Sequence, residues 1–348
     1  MKHSRPRILF VGPMLGRHPW WGPNPSEELA TRLEERGYPC SLVSTKLSKF
    51  QRLADILATI WKMRKQIDLL CLQVYSGPSF VVEDSASWLA HRLGLPVIMF
   101  LHGGNMPAFI KRFPGWTRRV LKRAQVIVTP SAYLAQAIGP LGFQARLIPN
   151  AIDICDYPFV HRSYPRPNLL WMRTFHEIYN PLLAVDSFKQ VRQVYPQARL
   201  TMAGQDKGLL GSVKDRAQKL GLGESVRFAG FLDTRSKQCE FARHDIFLST
   251  NRVDNMPVSV IEAAAFGMLI VATAVGGVSY LVKSGENGLL VKNEDEQAMA
   301  SAVQRLVSEP ALARHISENA RMSAEAFDWS VVIPRWESLL MEVMGHSI

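Results

Sequence analysis

Short apolar runs alternate with amphipathic segments along the whole chain. In the first half the apolar runs have the length of buried strands, and we predict strands at residues 7–12, 40–44, 67–74, 96–102, 124–130 and 145–149. The segments between them place apolar residues at helical spacing, and we predict helices at residues 26–37, 48–66, 82–93 and within 106–123. Strands that alternate with helices form a parallel sheet with helices on both faces.

The alternation restarts after residues 150–168, a stretch rich in proline and tyrosine that we interpret as a linker of limited flexibility. Here we predict strands at residues 168–173, 198–203, 225–231, 245–250 and 269–273, and helices at residues 181–194, 209–220, 234–243 and 258–266. Three further helices are predicted at residues 294–308, 310–326 and 330–344. A chain of 348 residues is long for one core and natural for two domains.

The four cysteines, Cys40, Cys71, Cys155 and Cys239, are widely scattered and include no C-x-x-C pair. This usage is typical of reduced, buried thiols in a cytosolic protein, with neither a disulfide framework nor a zinc site. The apolar run near the start is too short for a signal peptide, and no run approaches the roughly 18–20 residues of a membrane span. We therefore expect a cytoplasmic protein.

Positive charge is concentrated in the first half, where residues 1–150 hold 20 Lys and Arg against 8 Asp and Glu. Nucleic acid, an anionic membrane and an acidic substrate could each explain such an excess. Residues 48–66 and 106–123 interleave Trp or Phe with Lys and Arg, which fits peripheral docking on anionic lipid head groups. An ordinary amphipathic helix with a solvated basic face fits equally well. No DNA- or RNA-binding motif accompanies the charge, and we expect no nucleic-acid partner.

Candidate chemistry is densest in residues 251–277, which we interpret as a loop, a short helix, a buried strand and a glycine turn. Asp254 lies in the loop, and we expect Asn255 to cap the helix, with Pro257 near its start. Glu262 falls one to two turns inside an apolar helix, where an acid needs a hydroxyl or a cation as partner. The helix start and the turn at Gly276 and Gly277 both allow backbone to approach an anion. Such a set favours a phosphorylated, polyhydroxylated ligand.

The segment DNMPVSVIEAAAFGMLIVAT, residues 254–273, resembles the E-x7-E region of retaining glycosyltransferases of family 4, which have the GT-B fold. The resemblance implies that Asp254, in place of the first Glu, contacts the donor sugar and that Glu262 holds the ribose hydroxyls of the nucleotide. It also assigns donor binding to the residues around them, namely Asn255, Met256, Pro257, Gly276 and Gly277. Without the family, Asp254 is a helix-start residue and Glu262 a salt-bridged core acid.

The same resemblance assigns phosphate binding to Arg173, at the end of a predicted strand. Many members carry R-x4-K here, but this chain has Ile178, or Asn180 after a longer turn, where the lysine would stand. Backbone N–H groups at residues 179–182 or the side chain of His176 are the candidates to compensate. Two glycine turns after later strands are similar to the family's remaining donor contacts, at Gly204, Gly230 and Phe231. Tyr280 replaces the acid that usually follows the second glycine turn.

In the first domain, His102 ends a predicted strand just before two glycines, where ligands of parallel sheets collect. The resemblance gives it a positioning or polar role near the transferred sugar. The turn after the first strand would face the acceptor, through Gly12, Trp20, Trp21 and Gly22. The tryptophans can stack on a sugar, but packing under a loop explains them equally well.

Taken together, the resemblance implies an α/β chain with the GT-B fold: two Rossmann-like domains whose parallel sheets face a cleft, with a C-terminal helix that crosses back. We expect an acceptor domain at residues 1–155 joined by helix 330–348, and a donor domain at residues 165–326. The implied reaction moves a sugar from a nucleotide-sugar to a glycan or lipid-linked acceptor with retention, in cell-surface polysaccharide or glycolipid synthesis. His102, Asp254 and Arg173 are the expected catalytic residues, and no metal or other cofactor is expected.

Two other functions remain open: a sugar-nucleotide epimerase of the same fold, which would act on the donor alone, and a non-catalytic nucleotide-sugar-binding relative. The second is favoured by Asp254, the missing lysine and Tyr280. We expect a cytoplasmic location, with peripheral attachment at the inner face of the membrane if the basic segments dock there.

Overall fold

The computed structural model describes residues 5–16, 18 and 24–345. The chain divides into two compact units: the first comprises Met1–Asn150 with Ser330–Ile348, and the second comprises Ala151–Trp329. Trp20, Trp21 and Gly22 lie outside the described residues.

The first unit is built on a parallel sheet with the strand order β2-β1-β3-β4-β5-β6. Its strands are β1 (Ile8–Val11), β2 (Cys40–Val43), β3 (Leu69–Val74), β4 (Val97–Leu101), β5 (Val126–Thr129) and β6 (Arg146–Leu147). The helices between them are α1 (Pro25–Glu35), α2 (Lys49–Met63), α3 (Phe80–Arg92), α4 (Met106–Arg112), α5 (Pro114–Leu121) and α6 (Ala132–Ile138).

The second unit has a similar parallel sheet, with the strand order β12-β11-β10-β7-β8-β9. Its strands are β7 (Asn168–Met172), β8 (Arg199–Ala203), β9 (Val226–Gly230), β10 (Ile246–Ser249), β11 (Leu269–Thr273) and β12 (Leu289–Val291). Its helices are α7 (Pro181–Val194), α8 (Leu210–Lys219), α9 (Thr234–Arg243), α10 (Val258–Ala265), α11 (Val278–Leu281), α12 (Glu296–Ser308) and α13 (Pro310–Glu325).

Both faces of the second sheet are buried. Along β7, Leu169 and Trp171 enter one apolar cluster while Leu170 and Met172 enter another. Successive side chains of a strand point to opposite faces, so a strand covered on both sides must be apolar throughout. This explains why continuous apolar runs, rather than alternating ones, predicted the strands, and the predicted α/β class is confirmed.

The last helix, α14 (Trp329–Gly345), packs within the first unit. Trp336 meets Phe100 of β4 with ring centroids 5.2 Å apart, and the side-chain amide of Gln125 donates to the carbonyl oxygen of Val343 at 3.1 Å. The end of the chain thus covers the sheet formed by its beginning.

The two basic segments fold differently. On α2, Ile56 and Ile60 are buried, but Phe50 is 88% exposed and Trp61 is 54% exposed, so these two rings do not belong to the core face. Residues 106–123 contain two helices, α4 and α5, that meet at Phe113, where the following proline prevents a continuous helix.

The cysteine prediction was partly wrong, because Cys155 and Cys239 are exposed and only Cys71 is fully buried. No helix in the described part of the chain is both long enough and apolar enough to span a bilayer.

Candidate functional site

The predicted donor residues of the second unit share the edge of the sheet at which its strands end. Arg173 follows β7, Gly204 follows β8, and Gly230 and Phe231 close β9. The loop of residues 250–257 follows β10, and Gly276 and Gly277 follow β11. Because all these strands are parallel, their carboxyl ends meet at one edge, where ligands of such sheets bind.

Arg173 and Asp254 form an ion pair at this edge, since β7 and β10 are neighbours in the sheet. The Asp254 carboxylate also accepts hydrogen bonds from the Asn251 side-chain amide at 2.8 Å and from the Asn255 backbone N–H at 2.8 Å. Its position is therefore fixed by three donors.

The Arg173 guanidinium lies over the ring of Tyr179, 4.3 Å from the ring centroid. Burial disfavours its charge, but the charges of Asp254, Tyr179 and Glu262 outweigh burial and hold the pKa of Arg173 above its usual value. The Nε atom is buried and has no hydrogen-bond partner among the described residues. A permanently charged group with an unused buried hydrogen-bond donor is well suited to bind an anion.

Glu262 is 5% exposed and lies among the apolar residues of α10. An acid in this position was predicted to need a hydroxyl or a cation as its partner. Its Oε1 atom accepts from the Tyr157 hydroxyl at 3.0 Å and forms an ion pair with the Lys237 ammonium. Tyr157 comes from the linker and Lys237 from α9, so three distant segments meet at this acid.

Two glycines allow the backbone of this edge to pack closely. A Cβ atom at Gly277 would lie 1.5 Å from the carbonyl oxygen of Asn255, and the Gly277 N–H donates to the carbonyl oxygen of Asp254 at 2.9 Å. A Cβ atom at Gly204 would lie 1.8 Å from the carbonyl oxygen of Arg173. Glycine is therefore required at both positions to hold the segments that carry Arg173 and Asp254.

The predicted helix cap at Asn255 was wrong. The helix α10 begins at Val258, with Pro257 in an extended conformation as its N-cap and no side-chain cap bond. Asn255 instead stands two residues before the cap, buried together with Met256 and Pro257 beneath the Gly277 turn.

Several of the groups proposed to compensate for the missing lysine already have partners within a local turn. Ile178 lies in a short 3₁₀ turn, His176 accepts from the Ile178 N–H at 3.2 Å, and the N–H groups of Tyr179 and Asn180 donate within the same turn. The cation that does reach this part of the site is Lys237, through Glu262. The sequence gives no local signal for it, because its contact depends on how α9 packs beside α10.

Phe231 and Tyr280 are both partly open to solvent, at 44% and 48% exposure. Gly230 has a φ of +70°, which turns the chain out of β9 and leaves Phe231 at the surface of the edge.

In the first unit, His102 follows β4 and is 7% exposed between the rings of Tyr75 and Phe100, whose centroids lie 5.1 Å and 4.1 Å away. Burial lowers the pKa of His102 to about 3, so the imidazole is neutral near pH 7. Its Nε2 atom has no hydrogen-bond partner among the described residues.

Gly12 follows β1 at the same edge of the first sheet, and its N–H donates to the carbonyl oxygen of Val43 at 2.7 Å. A Cβ atom there would lie 3.0 Å from the Gln73 side chain. Of the predicted acceptor residues, Gly12 is thus placed beside β3, while the other three lie in the undescribed stretch.

Two family models match adjacent parts of this chain: Glycosyltransferase Family 4 at residues 21–155, and Glycosyl transferases group 1 at residues 159–323. A glycogen synthase from Mycobacterium tuberculosis is 25% identical over 74% of this chain and 66% of its own length. An exopolysaccharide phosphotransferase from Streptomyces coelicolor is 30% identical over 89% of this chain and 32% of its own length. The chain thus spans from about a third to about two thirds of these two relatives.

Among solved structures, the sucrose-phosphate synthase of Thermosynechococcus elongatus has a TM-score of 0.82 with 17% identity, over 98% of this chain and 100% of that one. Anabaena HepE, solved in complex with UDP and glucose, has a TM-score of 0.77 with 18% identity, over 97% of this chain and 100% of that one. At such low identity, these similarities establish the fold.

Proposed function

We propose, from the premise that this chain belongs to the GT-B glycosyltransferases of family 4 type, that it transfers a sugar from a nucleotide-sugar to an acceptor hydroxyl with retention. The observation that carries the proposal is the arrangement of two acid–cation pairs, Arg173 with Asp254 and Lys237 with Glu262, at the carboxyl edge of the second sheet. In this proposal, each of these two cations and two acids contacts or orients the nucleotide-sugar.

Arg173 binds the diphosphate of the donor in this proposal. Its Nε donor has no described partner, and a phosphate oxygen would satisfy it while the rest of the guanidinium keeps its contact with Asp254. A planar guanidinium with fixed donors suits phosphate geometry, and it is most effective where charge develops on the leaving group.

Lys237 supplies the second cation that the R-x4-K pattern lacks. It is held beside Glu262, whose carboxylate we assign to the ribose hydroxyls of the nucleotide. The Tyr157 hydroxyl fixes the same carboxylate oxygen at 3.0 Å and so orients the acid for that contact. The turn at Gly276 and Gly277, with Asn255, Met256 and Pro257 beneath it, completes the backbone wall, and Gly204, Gly230 and Phe231 form the side toward the base.

Asp254 orients the donor sugar, and His102 contributes a neutral hydrogen-bonding group. Because three donors already hold Asp254, it is poorly suited to act as a covalent nucleophile. A neutral imidazole with a pKa of about 3 is a weak base, which favours positioning over proton abstraction. We therefore infer attack on the face that the diphosphate leaves, without a metal ion, as the family resemblance implies.

The acceptor is proposed to be a glycan or a lipid-linked glycan in cell-surface polysaccharide or glycolipid synthesis, bound by the first unit. The names of the relatives, one a glycogen synthase and one an exopolysaccharide phosphotransferase, support a polysaccharide context. We further propose that the protein acts at the inner face of the membrane, on the cytoplasmic side.

The proposed membrane contact is a stripe on α2. Leu47 and Phe50 are 59% and 88% exposed, and Trp61 lies three turns further along the same face as Phe50, stacked under the Arg64 guanidinium at 4.4 Å. The exposed lysines around the stripe are Lys46, Lys49, Lys62 and Lys65. Exposed aromatic rings among basic residues suit an anionic bilayer surface. The segment around α5 contributes less, because Trp116 packs against Phe80.

Vesicle co-sedimentation tests this contact. We expect binding to vesicles that contain anionic lipid, with loss in the double variant Phe50→Ser and Trp61→Ser. The matched control is Met322→Ser on α13, which removes an apolar side chain of 66% exposure from the second unit. Equal binding by the double variant and the wild type would refute the stripe as the contact.

Turnover of a panel of nucleotide-sugars tests the main proposal. We expect release of nucleoside diphosphate from at least one donor when a glycan or glycolipid fraction is added, with retained anomeric configuration of the product by NMR. Glu262→Ala should abolish release. An epimerase would instead convert the donor without acceptor, and a non-catalytic relative would bind donor without release under any condition. An inverted product would contradict the proposed stereochemistry.

A further inference from the structure

A cavity of about 290 Å³ lies in the first unit, at the carboxyl edge of its sheet. Its wall comes from the turn after β1, the end of β3 and the adjoining faces of α2 and α3, and includes Gly12, Arg52, Gln73, Tyr75, Val82 and Glu83. Ligand sites for small molecules begin at about 300 Å³, so this cavity suits one ring-sized group rather than a longer chain. We call it the Glu83 pocket.

Glu83 is the unusual group of this wall. It is 3% exposed; Oε1 accepts from the Tyr75 backbone N–H at 3.1 Å, while Oε2 is buried without a hydrogen-bond partner among the described residues. Burial raises the pKa of Glu83 to about 8, which makes it a neutral carboxylic acid near pH 7. A buried polar atom without a partner costs free energy, which a bound ligand can recover.

The nearest cation does not neutralise this acid by direct contact. Arg52 donates from Nε to the carbonyl oxygen of Lys46 at 3.0 Å and from Nη2 to that of Leu47 at 3.2 Å. The guanidinium is thus held by the loop before α2, so two of its donors are not available to an anion, and the neutral acid opposite it adds no positive charge. The pocket is therefore better suited to a neutral ligand than to a phosphate or carboxylate.

The remaining polar groups form a fixed chain. The Tyr75 hydroxyl donates to Oε1 of Gln73 at 2.9 Å, and Nε2 of Gln73 donates to the Asn24 side chain at 3.1 Å. The Tyr75 ring stacks on His102, so the pocket wall is continuous with the histidine expected near the transferred sugar. Gly12 permits this packing, because a larger residue would displace Gln73.

We propose that the Glu83 pocket binds one neutral, hydroxyl-bearing ring of the acceptor, a sugar or a cyclic polyol, and that Oε2 of Glu83 selects it through a hydrogen bond to a ring hydroxyl. The amide and phenol provide the polar side, while Leu72 and Val82 provide an apolar surface for ring C–H groups. This inference rests on the proposed transferase function, since it names the acceptor class of the same reaction.

Saturation-transfer NMR with methyl glucosides, galactosides and mannosides and with inositol tests the pocket, with glucose 6-phosphate as the anionic probe. We expect at least one neutral ring to bind the wild type, and Glu83→Leu to weaken that binding by about tenfold or more, because the ligand hydroxyl would be buried without its partner. Glu83→Gln, which keeps an oxygen and a donor, should retain part of the binding.

A second pair of variants decides the question if Glu83→Leu does not fold. Val82→Phe fills the pocket without changing Glu83, whereas Val81→Phe on the same helix points to solvent at 47% exposure and serves as its control. Loss of the ring signal in Val82→Phe alone supports the pocket. Binding that survives both Glu83→Leu and Val82→Phe, no binding by any neutral ring, or preference for the phosphate would overturn it.

Donor binding separates this proposal from the transferase proposal. Thermal stabilisation by nucleotide-sugars should be unchanged in Glu83→Leu and Val82→Phe. If no nucleotide-sugar stabilises the wild type while a neutral ring still binds the Glu83 pocket, the transferase proposal fails and the ring site stands without its assigned role as an acceptor site.

Discussion

The carboxyl edges of the two sheets carry ionisable groups in opposite states. At the second sheet, Asp254 and Glu262 each meet a cation from their own unit. At the first sheet, Glu83 and His102 are almost fully buried, and neither has an ion-pair partner among the described residues. Burial alone shifts both of their pKa values toward the neutral form.

This difference corresponds to the two kinds of ligand that a glycosyltransferase binds, a charged donor and a hydroxyl-bearing acceptor. Fixed ion pairs keep charged side chains in place and suit a ligand with its own charge, such as a nucleoside diphosphate. Neutral buried acids and imidazoles bind hydroxyl groups at little electrostatic cost. The electrostatics of each unit by itself therefore supports the proposed assignment of the donor to the second unit and of the acceptor to the first.

The largest expected effect comes from Arg173→Met. We expect kcat for transfer to fall about 100- to 1,000-fold, the range for loss of one donor that stabilises developing charge. Steady-state turnover measures it. Arg216→Met is the matched control, because Arg216 pairs with Asp186 on the surface of the same unit. If both variants lose activity equally, the loss does not arise from the Arg173 contact at the proposed donor site.

A smaller effect is expected from Gly277→Ala. The new methyl group would collide with the carbonyl oxygen of Asn255, and such overpacking lowers the free energy of unfolding by about 1–3 kcal/mol. Gly211→Ala is the control, since Gly211 lies in α8 with open space around it and alanine favours a helix. Urea denaturation should show the first variant destabilised and the second unchanged or stabilised. Equal stability of the two variants would mean that the Asp254 loop is not fixed by this contact.

The neutral groups of the first unit predict a pH dependence of stability. The pKa of Glu83 rises from 4.5 to about 8 on folding, so the folded state binds one more proton than the unfolded state between these values. The contribution of Glu83 to stability is therefore complete below about pH 4.5 and decreases by up to about 1.4 kcal/mol per pH unit as the pH rises toward 8. Denaturation of wild type and Glu83→Gln between pH 5 and 8 measures the slope.

His102 makes the stability depend on pH in the opposite direction. Its pKa falls from 6.5 to about 3 on folding, so the unfolded state binds the extra proton and acid lowers stability between these values. Glu83→Gln should reduce the loss of stability as the pH rises above 5, and it should leave the loss of stability in acid unchanged. If Glu83→Gln follows the wild type from pH 5 to 8, Glu83 is not the neutral acid described.

The smallest effect is expected in a double-mutant cycle of Lys237→Met and Glu262→Gln. Because the Lys237 side chain is 27% exposed, we expect a coupling of about 1 kcal/mol, well below the 3–5 kcal/mol lost when a fully buried pair is broken. The cycle is measured by denaturation at low and high salt, and the coupling should fall with salt. No coupling at either salt concentration would mean that the two side chains do not pair in solution.

Much of the second unit was predictable because its strands are continuous apolar runs. Once β7, β8 and β10 are placed in a parallel sheet, Arg173, Gly204 and the Asp254 loop must meet at one edge. The strand β12 has three residues, which by themselves carry too little pattern to distinguish a strand from a turn.

Other contacts could not be predicted, because they depend on packing between segments far apart in sequence. Nothing near Lys237 or Tyr157 signals that both reach Glu262. In the sequence, Glu83 is one polar residue of a predicted helix, and only the packing of α2 and α3 around β3 shows that it is buried. Likewise, the apolar character of Phe50 gives no indication that its ring is exposed.

Calorimetric titration with nucleotide-sugars, beginning with UDP-glucose, tests the central claim most directly. We expect the wild type to bind at least one of them, with affinity reduced about tenfold or more by Arg173→Met and by Glu262→Ala and unchanged by Glu83→Leu. Absence of binding by every nucleotide-sugar, or equal weakening by Glu83→Leu and Glu262→Ala, would contradict the assignment of the donor to the paired edge of the second sheet.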